Sequence, residues 1–95
     1  MLAHTELTRA AVAIRTYGWC RHIPQDSHGR LCITGACGLV LFNRPSMGPS
    51  RTAHKFLWCV TGSWPTNFND YVCQNEEEAA GVLLKAAALA KKAGV

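Results

Sequence analysis

Four side chains able to bind a soft metal bracket one stretch of this 95-residue sequence: Cys20, His22, His28 and Cys32. Thiolate and imidazole are the donors zinc prefers, so the segment from Trp19 to Arg30 is the first place where chemistry could sit. Structural zinc sites usually add a Cys-x-x-Cys knuckle, which this chain lacks. The competing reading is a loop with exposed histidines and a packed Cys32, and on that balance no metal or other cofactor is expected.

Cys32 also stands where a helix should begin, and a helix dipole stabilises a thiolate at that position. A nucleophilic cysteine needs a base and an orienting group, and His54 and Asn69 follow it in the sequence. That order is similar to the one in papain-like hydrolases, in order alone. Leu31 and Ile33 on either side argue instead for a thiol inside the core, and a small helical domain offers little scaffold for a substrate cleft. A thiol hydrolase using Cys32 ranks third, behind two binding readings, and the balance lies against an enzyme.

The first binding reading rests on aromatic residues. Trp58, Trp64, Phe68 and Tyr71 lie in or beside the least regular part of the chain, and protein-binding hot spots are rich in aromatics and Arg. With Trp19 and Arg21 they make the candidate partner-binding set. In the bland alternative they fill the core, and at least two of the four are expected there. The second reading is nucleic acid. Arg21, His22, His28 and Arg30 could cluster beside Trp19 as a stacking surface, with Arg44, Arg51 and Lys55 as a second patch. Ten Lys and Arg against six acids give a net charge of +4, which permits a phosphate-rich partner without requiring one.

These residues must be positioned by the elements around them, and the stretch from Gly29 to Phe42 dominates. Ile33, Ala36, Cys37, Val40 and Leu41 follow the helical period, and Gly35, Gly38, Leu39 and Phe42 make a second uncharged face. A helix apolar all round is a buried helix, and this one is too short to span a bilayer. A first helix is expected from about Thr5, as N-cap, to Tyr17, with Gly18 ending it. A third begins near Pro49 or Ser50, carries Ala53, Phe56, Leu57 and Val60 inward, and stops at Gly62 before Pro65. The last is the best specified: Asn75 as N-cap, Glu78 three residues on, acids in the first turn, Lys91 and Lys92 at the end, and Gly94 after it.

The fold class expected is therefore all-α, four short helices packed around a buried second helix, in one small globular domain over residues 1–95. Short strands at Cys20 to Ile23 and Arg30 to Ile33, around the Asp26-Ser27-His28-Gly29 turn, would add a small β-hairpin. Trp64 to Cys73 reads as irregular. Five cysteines (20, 32, 37, 59 and 73) are an odd set, which fits buried free thiols in a reducing cytosol better than a disulfide framework. His4, Thr5 and Glu6 stand where a signal peptide would be apolar, so the expected location is the cytoplasm.

The order of several short motifs resembles a family of small uncharacterised domains of actinobacteria and their phages. They are Gly18-Trp19, Asp26 with Gly29-Arg30, Cys32 with Gly35 and Ala36, Asn69-Asp70, and the acid-initiated last helix. A second Gly-Arg-Thr, usual in that family after the Asn-Asp pair, is replaced here by Tyr71 to Asn75, leaving no counterpart to its arginine. The resemblance implies a setting, a phage or actinobacterial cytoplasm, and no mechanism. Gly29, Arg30, Cys32, Asn69 and Asp70 are the structural motif it marks, and an Arg30–Asp70 ion pair would tie its two halves together. The reading as a whole is a non-catalytic protein that binds a host or phage protein, or itself. A small nucleic-acid-binding regulator is the alternative, and no membrane partner is expected.

Overall fold

The computed structural model describes residues 1–95. The chain is all-α: α1 (Ala3–Tyr17), α2 (Ile33–Phe42), a 3-10 turn (Pro45–Met47), α3 (Arg51–Thr61), a short α4 (Pro65–Asn67) running into a π-helical turn (Phe68–Val72), and α5 (Glu76–Lys92). No helix is long and apolar enough to cross a membrane. The core is continuous, with Leu7, Ile14, Leu31, Ile33, Leu57 and Leu83 all fully buried.

α1 and α5 pack along one another most extensively, and the alanines of both are the reason. Ala10, Ala11, Ala79, Ala80, Ala86 and Ala90 are buried at the helical period, and small side chains let two backbones approach closely. The first turn of α1 starts at Ala3, two residues before the expected Thr5 cap. Leu2 stands at the N-cap and offers no side-chain bond. The backbone N–H of His4 donates instead to the carbonyl of Val95 at 3.2 Å, so the end of the chain satisfies the start of α1.

The first half of α2 is enclosed as its apolar sequence demands, and its glycines explain how. A Cβ on Gly35 would meet the Pro24 carbonyl oxygen at 2.1 Å. One on Gly38 would meet the backbone of Arg44, Pro45 and Gly48 at 2.6–2.7 Å. Two other segments thus lie directly on the helix where it has no side chain. At the far end enclosure is incomplete, and Phe42 is half exposed.

α3 is held from a distance. Ser50 caps it, its hydroxyl accepting from the Ala53 N–H, while the buried Glu6 of α1 takes both Ser50 donors: the hydroxyl at 2.6 Å and the backbone N–H at 2.9 Å. A carboxyl at a helix N-terminus is favourably placed. α5 begins as the sequence reads, with the Asn75 side chain accepting from Glu78 N–H and Glu78 accepting from Gln74 N–H, both at 2.9 Å.

Two features differ from expectation. The hairpin does not form: Leu31 makes isolated bridges to Trp19 and to Gln25, and no two consecutive residues pair. His22, with a positive φ of 70°, and Pro24 turn the intervening chain away from any partner strand. The segment from Pro65 to Val72 is helical, because Pro65 at the first position of α4 starts a turn that Asn69 then continues from inside.

Candidate functional site

Two separate places hold the candidate residues. The first is the junction between the long connection after α1 and the π-helical turn. Asn69 is fully buried there and uses its whole side chain. Its Oδ1 accepts from the Trp19 indole nitrogen at 2.8 Å and from the Ile33 N–H at 2.9 Å. Its Nδ2 donates to the Cys20 carbonyl at 3.1 Å and to Asp70 Oδ1 at 2.9 Å. An amide has two donors and two lone pairs, so every one is engaged. The bond to Ile33 also caps the first turn of α2.

Asp70 extends this latch. Its Oδ1 accepts the His22 N–H at 2.8 Å, and its Oδ2 lies 3.7 Å from His22 Nδ1. That contact holds His22 in the left-handed conformation, which a non-glycine residue adopts only when something fixes it. Arg21 donates to the Cys73 carbonyl at 2.8 Å, with its guanidinium 4.6 Å from the Trp19 ring centre. Trp19 and Arg21, both candidate contact residues, therefore spend their polar groups inside the molecule. Phe68 packs against the core.

Arg30 does not reach Asp70. Its Nε donates to Asp26 at 2.6 Å, and the Asp26 carboxyl also accepts the backbone N–H groups of His28 and Arg30 at 3.0 and 2.9 Å. An Asp four residues away, already turned inward by the loop, is the nearer partner. Desolvation pushes the Asp26 carboxyl up, but the Arg30 and His28 bonds outweigh it and hold it below its ordinary value of 3.8. Gly29 supports this turn with a φ of 81°.

The thiols are mostly interior. Cys32 caps α2, its sulfur accepting from Gly35 N–H at 3.2 Å and lying 3.3 Å from the Thr34 hydroxyl. Burial pushes Cys20 up to about 11, with Asp26 adding to the effect. Cys37 and Cys73 are raised for the same first reason. Cys59 is the exposed one. Cys20, His22, His28 and Cys32 do not converge, and no group of three His, Cys, Asp or Glu side chains is placed to hold a metal ion. A cleft of about 80 Å³ is lined by His22, Cys32, Thr34, Thr66 and Asp70 among others, well below the few hundred Å³ of an ordinary small-molecule site. His54 stands elsewhere, packed with tryptophans.

That second place is the end of α3. Gly62, in the left-handed conformation at the helix end, turns the chain so that Trp64 comes back beside Trp58. The two indoles meet edge to face with centres 4.6 Å apart, and His54, one turn earlier, lies 6.0 Å from Trp58 and 5.6 Å from Trp64. Trp58 is 39% exposed and Trp64 56%. Arg51 and Lys55 are exposed on the same helix, and neither they nor Arg44 makes an ion pair. No acid occurs anywhere between Asp26 and Asp70. This is an apolar patch in a cationic surrounding. Tyr71, the most exposed aromatic at 74%, is apart from it, edge-on to His22.

Sequence reasoning named both tryptophans but missed His54 as the third ring; the i, i+4 spacing of His54 and Trp58 was the available signal. Glu6 went unnoticed, since nothing near it in sequence marks its partner.

No curated protein and no solved structure matches the chain. A family model does match, over residues 3–89, from the first residue of α1 to within the last turn of α5 and so across both places described above. The chain belongs to that family, a family of unknown function (DUF6197).

Proposed function

We propose that the protein is a non-catalytic interaction module that binds another protein through the His54–Trp58–Trp64 patch. The observation carrying this reading is the pair of exposed, mutually packed tryptophans, set in a segment with unpaired cations and no acids. Large rings held rigid by one another lose little entropy on binding, and tryptophan is the commonest hot-spot residue. The partner surface that fits is an apolar pocket bordered by carboxylates, since Arg51 and Lys55 flank the rings. The motif order resembling actinobacterial and phage domains supports a host or phage protein as that partner.

The interior commitments of the other candidates favour binding over catalysis. The Cys32 sulfur caps a helix, the Asn69 amide is saturated, and His54 packs with rings on another element. Nucleic acid shares the preference for cations and aromatics, but base stacking needs an open ring face, and in an edge-to-face pair one face is occupied.

The test compares capture from an actinobacterial lysate by the intact protein and by Trp58→Ala and Trp64→Ala variants of unchanged thermal midpoint. A protein retained by the intact chain after nuclease treatment and in high salt, and lost by both variants, is the expected result. Signal that vanishes with nuclease, or capture that both variants keep, overturns it.

A further inference from the structure

We infer that α5 and the groove beside it form the contact between two antiparallel copies of this chain. The inference is independent of the tryptophan patch. A groove of about 450 Å³ runs between α1 and α5, lined by Thr5, Thr8, Arg9, Leu84, Ala88 and Lys91 among others. Leu84 is 38% exposed in its floor.

Gly81 continues the groove along α5, and it differs from the glycines of α2. Each of those lies under another stretch of backbone, whereas a Cβ on Gly81 would meet nothing of this chain within 4 Å. Glycine is unfavourable in mid-helix, and no contact within the molecule accounts for it here. The space is open to a close approach from outside.

The sequence of the exposed line says what approaches. Glu77, Gly81, Leu84, Ala88 and Lys91 alternate in steps of four and three, the spacing of a paired-helix seam. Its ends are opposite in charge: Glu76, Glu77 and Glu78 open α5, and Lys91 and Lys92 close it. A second α5 laid antiparallel places Glu77 against the partner's Lys91 and Leu84 against the partner's Leu84, with Gly81 facing the partner's Ala88. A parallel copy would set like charges together at both ends. The Arg15–Glu77 contact at 3.4 Å is no obstacle, because both side chains are largely exposed and such pairs are weak.

Sedimentation equilibrium on the full chain at low salt, from about 1 μM to about 1 mM, tests this. The mass is expected to rise with concentration from one chain of 10.4 kDa toward two. Lys91→Glu should weaken the dimer by about tenfold or more, and adding Glu77→Lys should restore it. Gly81→Leu should abolish it with the thermal midpoint of the monomer maintained, while Trp64→Ala should leave it intact. A monomer throughout the range, a dimer indifferent to Gly81→Leu, or no rescue by the charge swap overturns the inference.

Discussion

Asn69 and Trp19, fifty positions apart, are joined by a hydrogen bond of 2.8 Å from the indole nitrogen to the amide oxygen. The same oxygen caps α2 through Ile33, so one side chain fixes the connection after α1, the start of α2 and the π-helical turn relative to each other. The Gly-Trp and Asn-Asp motifs are two halves of one latch.

Removing that amide should therefore be costly. Asn69→Ala leaves the Trp19 indole and the Ile33 N–H buried without acceptors, at about 1–3 kcal/mol each, so a loss of roughly 2–5 kcal/mol is expected from chemical denaturation. Asn69→Asp keeps the acceptor but loses both donors and sets a second carboxyl beside Asp70, and should also destabilise. An Asn69→Ala loss below about 1 kcal/mol would show that the latch is not structural.

The helical glycines should respond in opposite directions. Gly35→Ala and Gly38→Ala push a methyl group into backbone at 2.1 and 2.6 Å, and should each cost about 1–3 kcal/mol or more. Gly81→Ala enters open space in mid-helix and should stabilise the monomer by up to about 1 kcal/mol. Thermal midpoints of the three variants decide this.

Thiol reactivity should follow burial. In the folded protein at pH 8, Cys59 should alkylate quickly and alone, and all five thiols should react after unfolding. Cys20 adds a pH signature. Its folded value near 11 exceeds the ordinary 9.0, so its protonated thiol supports the fold fully below pH 9, and that contribution fades as pH rises from 9 to 11. Cys20→Ser should flatten this part of an alkaline stability profile.

Asp26 should give the acid counterpart. Its carboxyl is held below 3.8, so its contribution is present above that value and is lost as pH falls through the lower folded one. Asp26→Asn removes the ion pair with Arg30 and should reduce the acid dependence of stability below about pH 4, read from denaturation midpoints.

Local signals were legible in the sequence wherever they were local in cause. Ser50 and Asn75 cap the helices they precede, and Gly62 ends α3, because each acts on backbone groups within four residues. The all-α class followed from the periodicity of apolar residues, and the burial of α2 from its lack of charge. What lay beyond the sequence was the choice among distant partners. Arg30 could have met Asp70 or Asp26, Trp19 could have faced water or Asn69, and Glu6 gave no sign of Ser50. Hydrogen bonds form at about 3 Å. Residues so far apart in the chain reach that distance only through the packing of every helix between them. Tertiary structure alone therefore decided that the first pair of motifs closes inward, leaving Trp58 and Trp64 as the rings that face outward.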